Sequence, residues 1–229
     1  MTVTSNVHIK LSVVRRAELG SISMVVSFTR PISFAYEAGD WIDLMKTGAL
    51  LKGGKTYSLS SSPTEPELAI MFRKGLSPLK QHLQTLQPGD ELIITQYGND
   101  YGFHLRENRS SVLIAGGIGI APFRSMLKEM ADTESQNQVQ LLYFNKGTEF
   151  LLADELDEWA QSLHLDIHYF NTDELKRKDR LKIFQTVMNR GAHHYFIAGP
   201  ESMVETTEHM LIDLGIDAKD IRIDSFGGY

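Results

Sequence analysis

Apolar and polar residues alternate along the first part of the chain. Val7, Ile9, Leu11 and Val13 are separated by His8, Lys10 and Ser12, and Met24, Val26 and Phe28 repeat the alternation after a turn. A period of two sends successive side chains to opposite faces, so these segments read as strands with one face buried. Further strands are expected at 41–44, 56–60, 68–73 and 92–96, bounded by Gly39-Asp40, Gly53-Gly54, Pro63 and Pro88-Gly89-Asp90. Strands this short and closely spaced predict an antiparallel β-barrel. Only 78–86 interrupts them with helical spacing, and Ser77 stands where an N-cap belongs.

After the charged linker RENR at 106–109 the pattern changes to apolar strands alternating with longer amphipathic segments. Strands are expected at 112–115, 139–144, 165–170, 195–198 and 221–224, with helices at 122–131, 151–163, 181–189 and 201–214. This is βαβ patterning, and continuous apolar runs such as VLIA and YFIA are expected where helices cover both faces of a parallel sheet. The fold class is therefore two-domain: an antiparallel β-barrel over 1–106 and an α/β parallel-sheet domain over 110–229.

Composition narrows the function classes. The 229 residues include 23 basic and 29 acidic side chains, a formal charge of −6, with no dense Lys/Arg cluster to track a phosphate backbone, so nucleic acid is not an expected partner. The absence of cysteine excludes disulfides, thiol catalysis and a Cys-ligated iron–sulfur cluster within this chain. MTVTSNVHIK lacks the cationic and apolar regions of a signal peptide, and no apolar run approaches the roughly 20 residues of a membrane span, so a cytoplasmic location is expected.

The chemistry concentrates where strands end. SVLIAGGIGIAPF (111–123) runs from a strand through Gly116, Gly117 and Gly119 into a helix with Pro122 in its first turn. Two readings stand: a tight turn needing positive φ, or a backbone anion cradle in which free amides and the helix dipole receive a diphosphate. A second glycine turn, YFIAGP, follows the strand at 195–198, and two such turns at strand carboxyl ends point to the crevice where open α/β sheets bind ligands. In the first half, KTYSLSS (55–61) carries a cation, an aromatic ring and several hydroxyls, suited either to a planar polar-edged ring such as a flavin or to a surface strand. RKGLSP (73–78) places glycine and a hydroxyl at a helix start behind two cations, a second candidate phosphate cradle.

Taken in order, KTYSLSS, RKGLSPL, QPGDELIITQYGNDYGF, VLIAGGIGIAPF, YFIAGPESM and IDSFGGY resemble the signatures of the ferredoxin–NADP reductase superfamily, and they span nearly the whole chain. The resemblance implies a barrel that binds flavin, FAD rather than FMN, and a domain that binds NADPH or NADH, with hydride passing from nicotinamide to flavin. By position it implies that Tyr57 and Ser58 lie against the flavin ring, with Leu59, Ser60, Phe72 and Arg73 beside them and Gly75, Leu76 and Ser77 at its diphosphate. Lys55 stands where the family has arginine, keeping the charge without the bidentate fork. Gly116, Gly117, Gly119 and Pro122 match the nucleotide loop, and Gly199, Pro200 and Met203 the turn beside the nicotinamide, where Ala198 replaces a frequent cysteine. Phe226 and Tyr229 match the C-terminal aromatics that cover the flavin, and Asn145, Lys146 and Thr172 lie where the nucleotide's far end is read. Tyr57, Ser58 and Phe226 are the residues expected at the reacting centre.

Smaller signals have ordinary readings. Arg177, Lys178 and Arg180 read as a solvated helix start, and His164, His168, His193 and His194 lack the carboxylate or cysteine pattern of a metal site. The expected activity is a flavoprotein reductase serving a separate electron-carrier protein or oxygenase component. A free-standing flavin or quinone reductase, acting on a small molecule, and a flavin subunit without independent turnover are the other two expectations.

Overall fold

The computed structural model describes residues 2–47, 55–99, 102–189 and 191–227. The chain forms two compact units, Met1–His104 with Arg124–Glu129, and Leu105–Phe123 with Met130–Tyr229.

The first unit contains β1 (Thr2–Leu19), β2 (Ser23–Thr29), β3 (Trp41–Lys46), β4 (Lys55–Ser58), β5 (Glu67–Arg73), the short helix α1 (Pro78–Leu83) and β6 (Glu91–Asn99). Its strands form one antiparallel sheet in the order β4-β3-β6-β1-β2-β5. The two ends of that order meet at a bridge between Leu59 and Ile70, reinforced by the Ser60 N–H donating to the Ala69 carbonyl at 2.8 Å, which closes the expected barrel.

β1 is much longer than its alternating pattern indicated. It pairs with β6 through Ser12 and with β2 from Val13 onward, the register shifting between Val13 and Arg15. One strand thus serves both halves of the barrel, and the bulge absorbs the bend. Leu11, Val26, Phe28, Ile42, Leu44, Leu68 and Ile94 fill the interior, with Leu79 and Leu83 of α1 in the same cluster. Helix α1 stops earlier than its spacing suggested, because Gln84 and Thr85 turn back onto the Lys80 and His82 carbonyls and Pro88-Gly89 follow.

The rest of the chain alternates strand and helix: β7 (Ser111–Gly116), a 3-10 turn (Gly117–Gly119), α2 (Ile120–Asp132), whose Arg124–Glu129 stretch belongs to the first unit, β8 (Val139–Asn145), α3 (Ala153–Ala160), β9 (Leu165–Asn171), α4 (Arg177–Thr186), β10 (His194–Pro200), α5 (Glu201–Asp213) and β11 (Ile221–Phe226). All strand pairs are parallel, in the order β11-β10-β7-β8-β9. β7 is buried along its whole length, as a central strand covered on both faces must be. Ile114, Leu142 and Ile197 share a core cluster with Phe184 of α4 and Leu211 of α5.

Helices α3 and α4 also depart from the sequence reading. α4 begins at Arg177 rather than 181, since the Asp179 carboxylate accepts the Lys176 N–H at 2.8 Å and caps a turn that has no apolar anchor. α3 begins after Leu152, whose φ of 64° breaks helical geometry. Among the described residues, no helix is long and apolar enough to cross a membrane.

Candidate functional site

The strand order of the second unit fixes where its ligand crevice lies. From β7 the chain proceeds outward to β8 and β9, then returns to place β10 and β11 on the other side, so the direction of winding reverses between β7 and β10. Such a switch point opens a crevice at the carboxyl ends of its two strands. The Gly116–Gly119 turn follows β7 and the Gly199-Pro200 turn closes β10, one on each side.

The glycines of this rim differ in what requires them. A Cβ on Gly119 would stand 2.1 Å from the Ala198 carbonyl oxygen, and one on Gly116 would stand 2.8 Å from the Met203 sulfur. Gly199, at φ +155°, would place a Cβ 3.1 Å from Gly116 Cα. These three let the two turns and helix α5 pack. Gly117 alone of the loop has a left-handed φ, +54°, and a Cβ there would meet only Asn145 Oδ1, at 3.5 Å. Close approach of a ligand to bare backbone is therefore a property of Gly117.

Around it the structure gathers the other residues of the rim. Asn145 ends β8, its carbonyl accepting the Thr172 N–H at 2.7 Å. Lys146 is exposed on the next turn, where the Gly147 N–H donates to the Asp173 carboxylate at 3.1 Å. Phe226, half-buried, pairs in register with Pro200 at the end of β11, and Pro122 lies buried in the first turn of α2. Tyr229 lies outside the described residues.

In the first unit, Tyr57 is 7% exposed and stands edge-on to Phe72, with ring centroids 6.3 Å apart. Among the described residues its buried phenol oxygen has no hydrogen-bond partner, and burial raises its pKa so that it stays a proton donor. Ser58, Leu59 and Ser60 are buried behind it, Leu59 donating its N–H to the Asp40 carbonyl at 2.8 Å. Leu76 is 87% exposed, next to Ser77, which caps α1 by accepting the Lys80 N–H. A Cβ on Gly75 would come within 3.0 Å of the Lys80 side chain. Partial burial, then the charges of Lys55 and Arg73, hold the Lys80 ammonium below its usual pKa. Lys55 of the KTYS segment and Arg73 of RKGLS thus each oppose the charge of Lys80 in α1, an arrangement that an anion would favour.

Sequence reasoning missed the clasps that hold these segments. Arg124 grips Glu65 through both guanidinium nitrogens, at 2.7 and 3.1 Å, and donates to the Ser60 carbonyl at 2.8 Å. Ser125 donates to the Ser61 carbonyl at 2.6 Å, and Tyr36 hydrogen-bonds the same residue. Asn99 donates to Asp40 at 2.9 Å and accepts the Phe103 N–H at 2.5 Å. Two signals were available: Arg124 and Ser125 sit immediately beyond the glycine–proline motif, and the SSPTE segment holds one carboxylate among hydroxyls.

The family model described as the oxidoreductase NAD-binding domain matches residues 113–209. The chain is 26% identical over 216 residues to flavohemoprotein A of Dictyostelium discoideum, covering 86% of this chain and 54% of that protein. It is 28% identical over 165 residues to phthalate dioxygenase reductase of Burkholderia cepacia, covering 68% and 49%. The chain spans about half the length of the curated relatives it matches. Among solved structures it is similar to a ferredoxin NADP+ reductase of Neisseria gonorrhoeae, described with bound FAD and NADP, at a TM-score of 0.79 and 18% identity over 95% of this chain and 98% of that one. The second unit thus matches the oxidoreductase NAD-binding domain family over residues 113–209, and the chain shares its fold with a ferredoxin NADP+ reductase.

Proposed function

We propose that the protein is an NAD(P)H-dependent flavoprotein oxidoreductase that binds FAD in its first unit and NADH or NADPH at the rim of its second, and passes electrons to a separate protein acceptor. The observation that carries the flavin assignment is the buried, unpartnered Tyr57 phenol on the strand that begins with Lys55. An orphaned buried donor is unfavourable unless a ligand completes it.

The residues present fit the flavin. Tyr57 and Phe72 offer an aromatic wall, Ser58 a short polar side chain at its edge, and Lys55, Arg73 and Lys80 the charge to neutralise a diphosphate next to Gly75, Leu76 and Ser77. Bound FAD supplies the redox chemistry, taking up a hydride from NAD(P)H and releasing electrons singly or in pairs. The chain's own contribution is binding, alignment and exclusion of water. On the rim, Gly117 receives the nucleotide diphosphate, Gly199, Pro200 and Met203 shape the nicotinamide end, and Asn145, Lys146 and Thr172 line the adenosine end. The similarity to a reductase named for a dioxygenase supports an oxygenase component or electron-carrier protein as acceptor.

Anaerobic titration of the purified protein with NADH and NADPH separately tests this. A yellow protein absorbing at about 450 nm, bleached by one or both nucleotides, is expected. A colourless protein that takes up neither FAD nor FMN rules the proposal out. Turnover with ferricyanide but not with free flavin is expected for a protein acceptor, whereas rapid reduction of free flavin would replace that reading by a small-molecule one.

A further inference from the structure

Beneath the rim lies a phenol that the glycine motif does not account for. Tyr143, on β8, is wholly buried, its ring edge-on to Phe150 at 5.2 Å. Its hydroxyl donates to the Gly117 carbonyl at 3.0 Å and accepts the Leu151 N–H. The same carbonyl also accepts the Ile120 N–H that closes the 3-10 turn. Both acceptor directions of Gly117 are thus used, one by the turn itself and one by the sheet.

A trans peptide directs its C=O and the following N–H in opposite directions. Anchoring the Gly117 carbonyl on the phenol therefore aims the Ile118 N–H away from the ring. The left-handed φ at Gly117 belongs to the class of turns whose successive N–H groups form anion-binding concavities. A glycine in that position is also the residue freest to leave it. The tie from Tyr143 removes that freedom.

We propose that Tyr143 is a positioning residue that presets the Gly117–Ile118 peptide for the nucleotide diphosphate, an inference that rests on reading the rim as the NAD(P)H site. Tyr143→Phe keeps the ring and its packing and deletes only the hydroxyl. Tyr169→Phe is the control, because that phenol belongs to the same aromatic cluster but donates to Asp157, at 2.7 Å.

Equilibrium titration of NAD+ and NADP+ into the oxidised protein is expected to show the preferred nucleotide bound about tenfold more weakly by Tyr143→Phe, the size of one lost hydrogen bond. With ferricyanide as acceptor, KM should rise by the same factor while kcat and the flavin spectrum stay unchanged, and Tyr169→Phe should match the parent protein in all of these. Unchanged affinity in Tyr143→Phe, a fall in kcat without a rise in KM, or an equal loss in Tyr169→Phe overturns the inference. A parent protein that binds neither nucleotide overturns the reading of the rim itself.

Discussion

The two units offer an anion different kinds of surface. In the first, Lys55 and Arg73 stand near enough to Lys80, beside the Gly75–Ser77 turn, to depress its pKa. In the second, the rim offers backbone shaped by glycine, and its loop residues Gly116 to Gly119 carry no charge. Side-chain charge is long in reach and loose in geometry, whereas backbone amides are short in reach and fixed by whatever packs behind them. The first surface should therefore be sensitive to salt and tolerant of shape, and the second the reverse.

The sharpest way to break this contrast is at Gly119. Since its Cβ would overlap the Ala198 carbonyl, Gly119→Ala is expected to destabilise the second unit by about 3 kcal/mol or more, read by thermal or denaturant unfolding. Gly117→Val, strained by the left-handed φ but free of backbone overlap, should lose less stability, keep flavin and lose the nicotinamide nucleotide. Equal stability losses at the two positions would show that the rim's glycines share one role.

Next in size is the clasp in the first unit. Arg124→Ala strips Glu65 and the Ser60 carbonyl of a partly buried bidentate partner, a loss of about 2–3 kcal/mol. Arg124→Lys should recover only part of it, because an ammonium cannot make the fork.

A smaller effect is expected at Lys80. Lys80→Met should weaken FAD binding about tenfold and flatten its dependence on salt, measured as the flavin dissociation constant at low and high ionic strength. Nucleotide affinity in Gly117→Ala should fall without a change in that slope. A salt dependence that Lys80→Met leaves intact would remove the cations from the flavin site.

The smallest effect concerns pH. Burial, then Arg222, hold the His194 imidazole below its usual pKa, and its buried Nδ1 has no partner among the described residues. The unfolded chain therefore takes up a proton there before the folded one does. Stability from the neutral ring is complete above a pH of about 6.5 and is lost as the pH falls below it. His194→Asn should flatten that limb of Tm against pH, and an unaltered limb would assign the titration elsewhere.

Much of the fold was legible because periodicity reports burial directly. The alternation from Val7 to Val13 and the unbroken VLIA run distinguish a barrel strand from a central parallel strand without reference to any partner. Periodicity failed where a polar contact set the boundary, as where Asp179 caps the start of α4. The motif glycines were legible as a class, but their separate reasons were not, since what a Cβ would strike depends on a turn some eighty residues away. The pairings of Arg124 with Glu65 and of Tyr143 with Gly117 left no trace in spacing. Each joins residues tens of positions apart through side chains that are individually unremarked.

The interlock of Gly116, Gly119 and Gly199 has a consequence for how such sequences are inherited. Three of the rim's glycines answer to the sheet, so a descendant that ceased to use a nucleotide would still retain them to keep its architecture. Gly117 is held by a different constraint, a left-handed φ of +54° rather than a packing contact. Every glycine of the motif is therefore accounted for by the architecture before any ligand is considered.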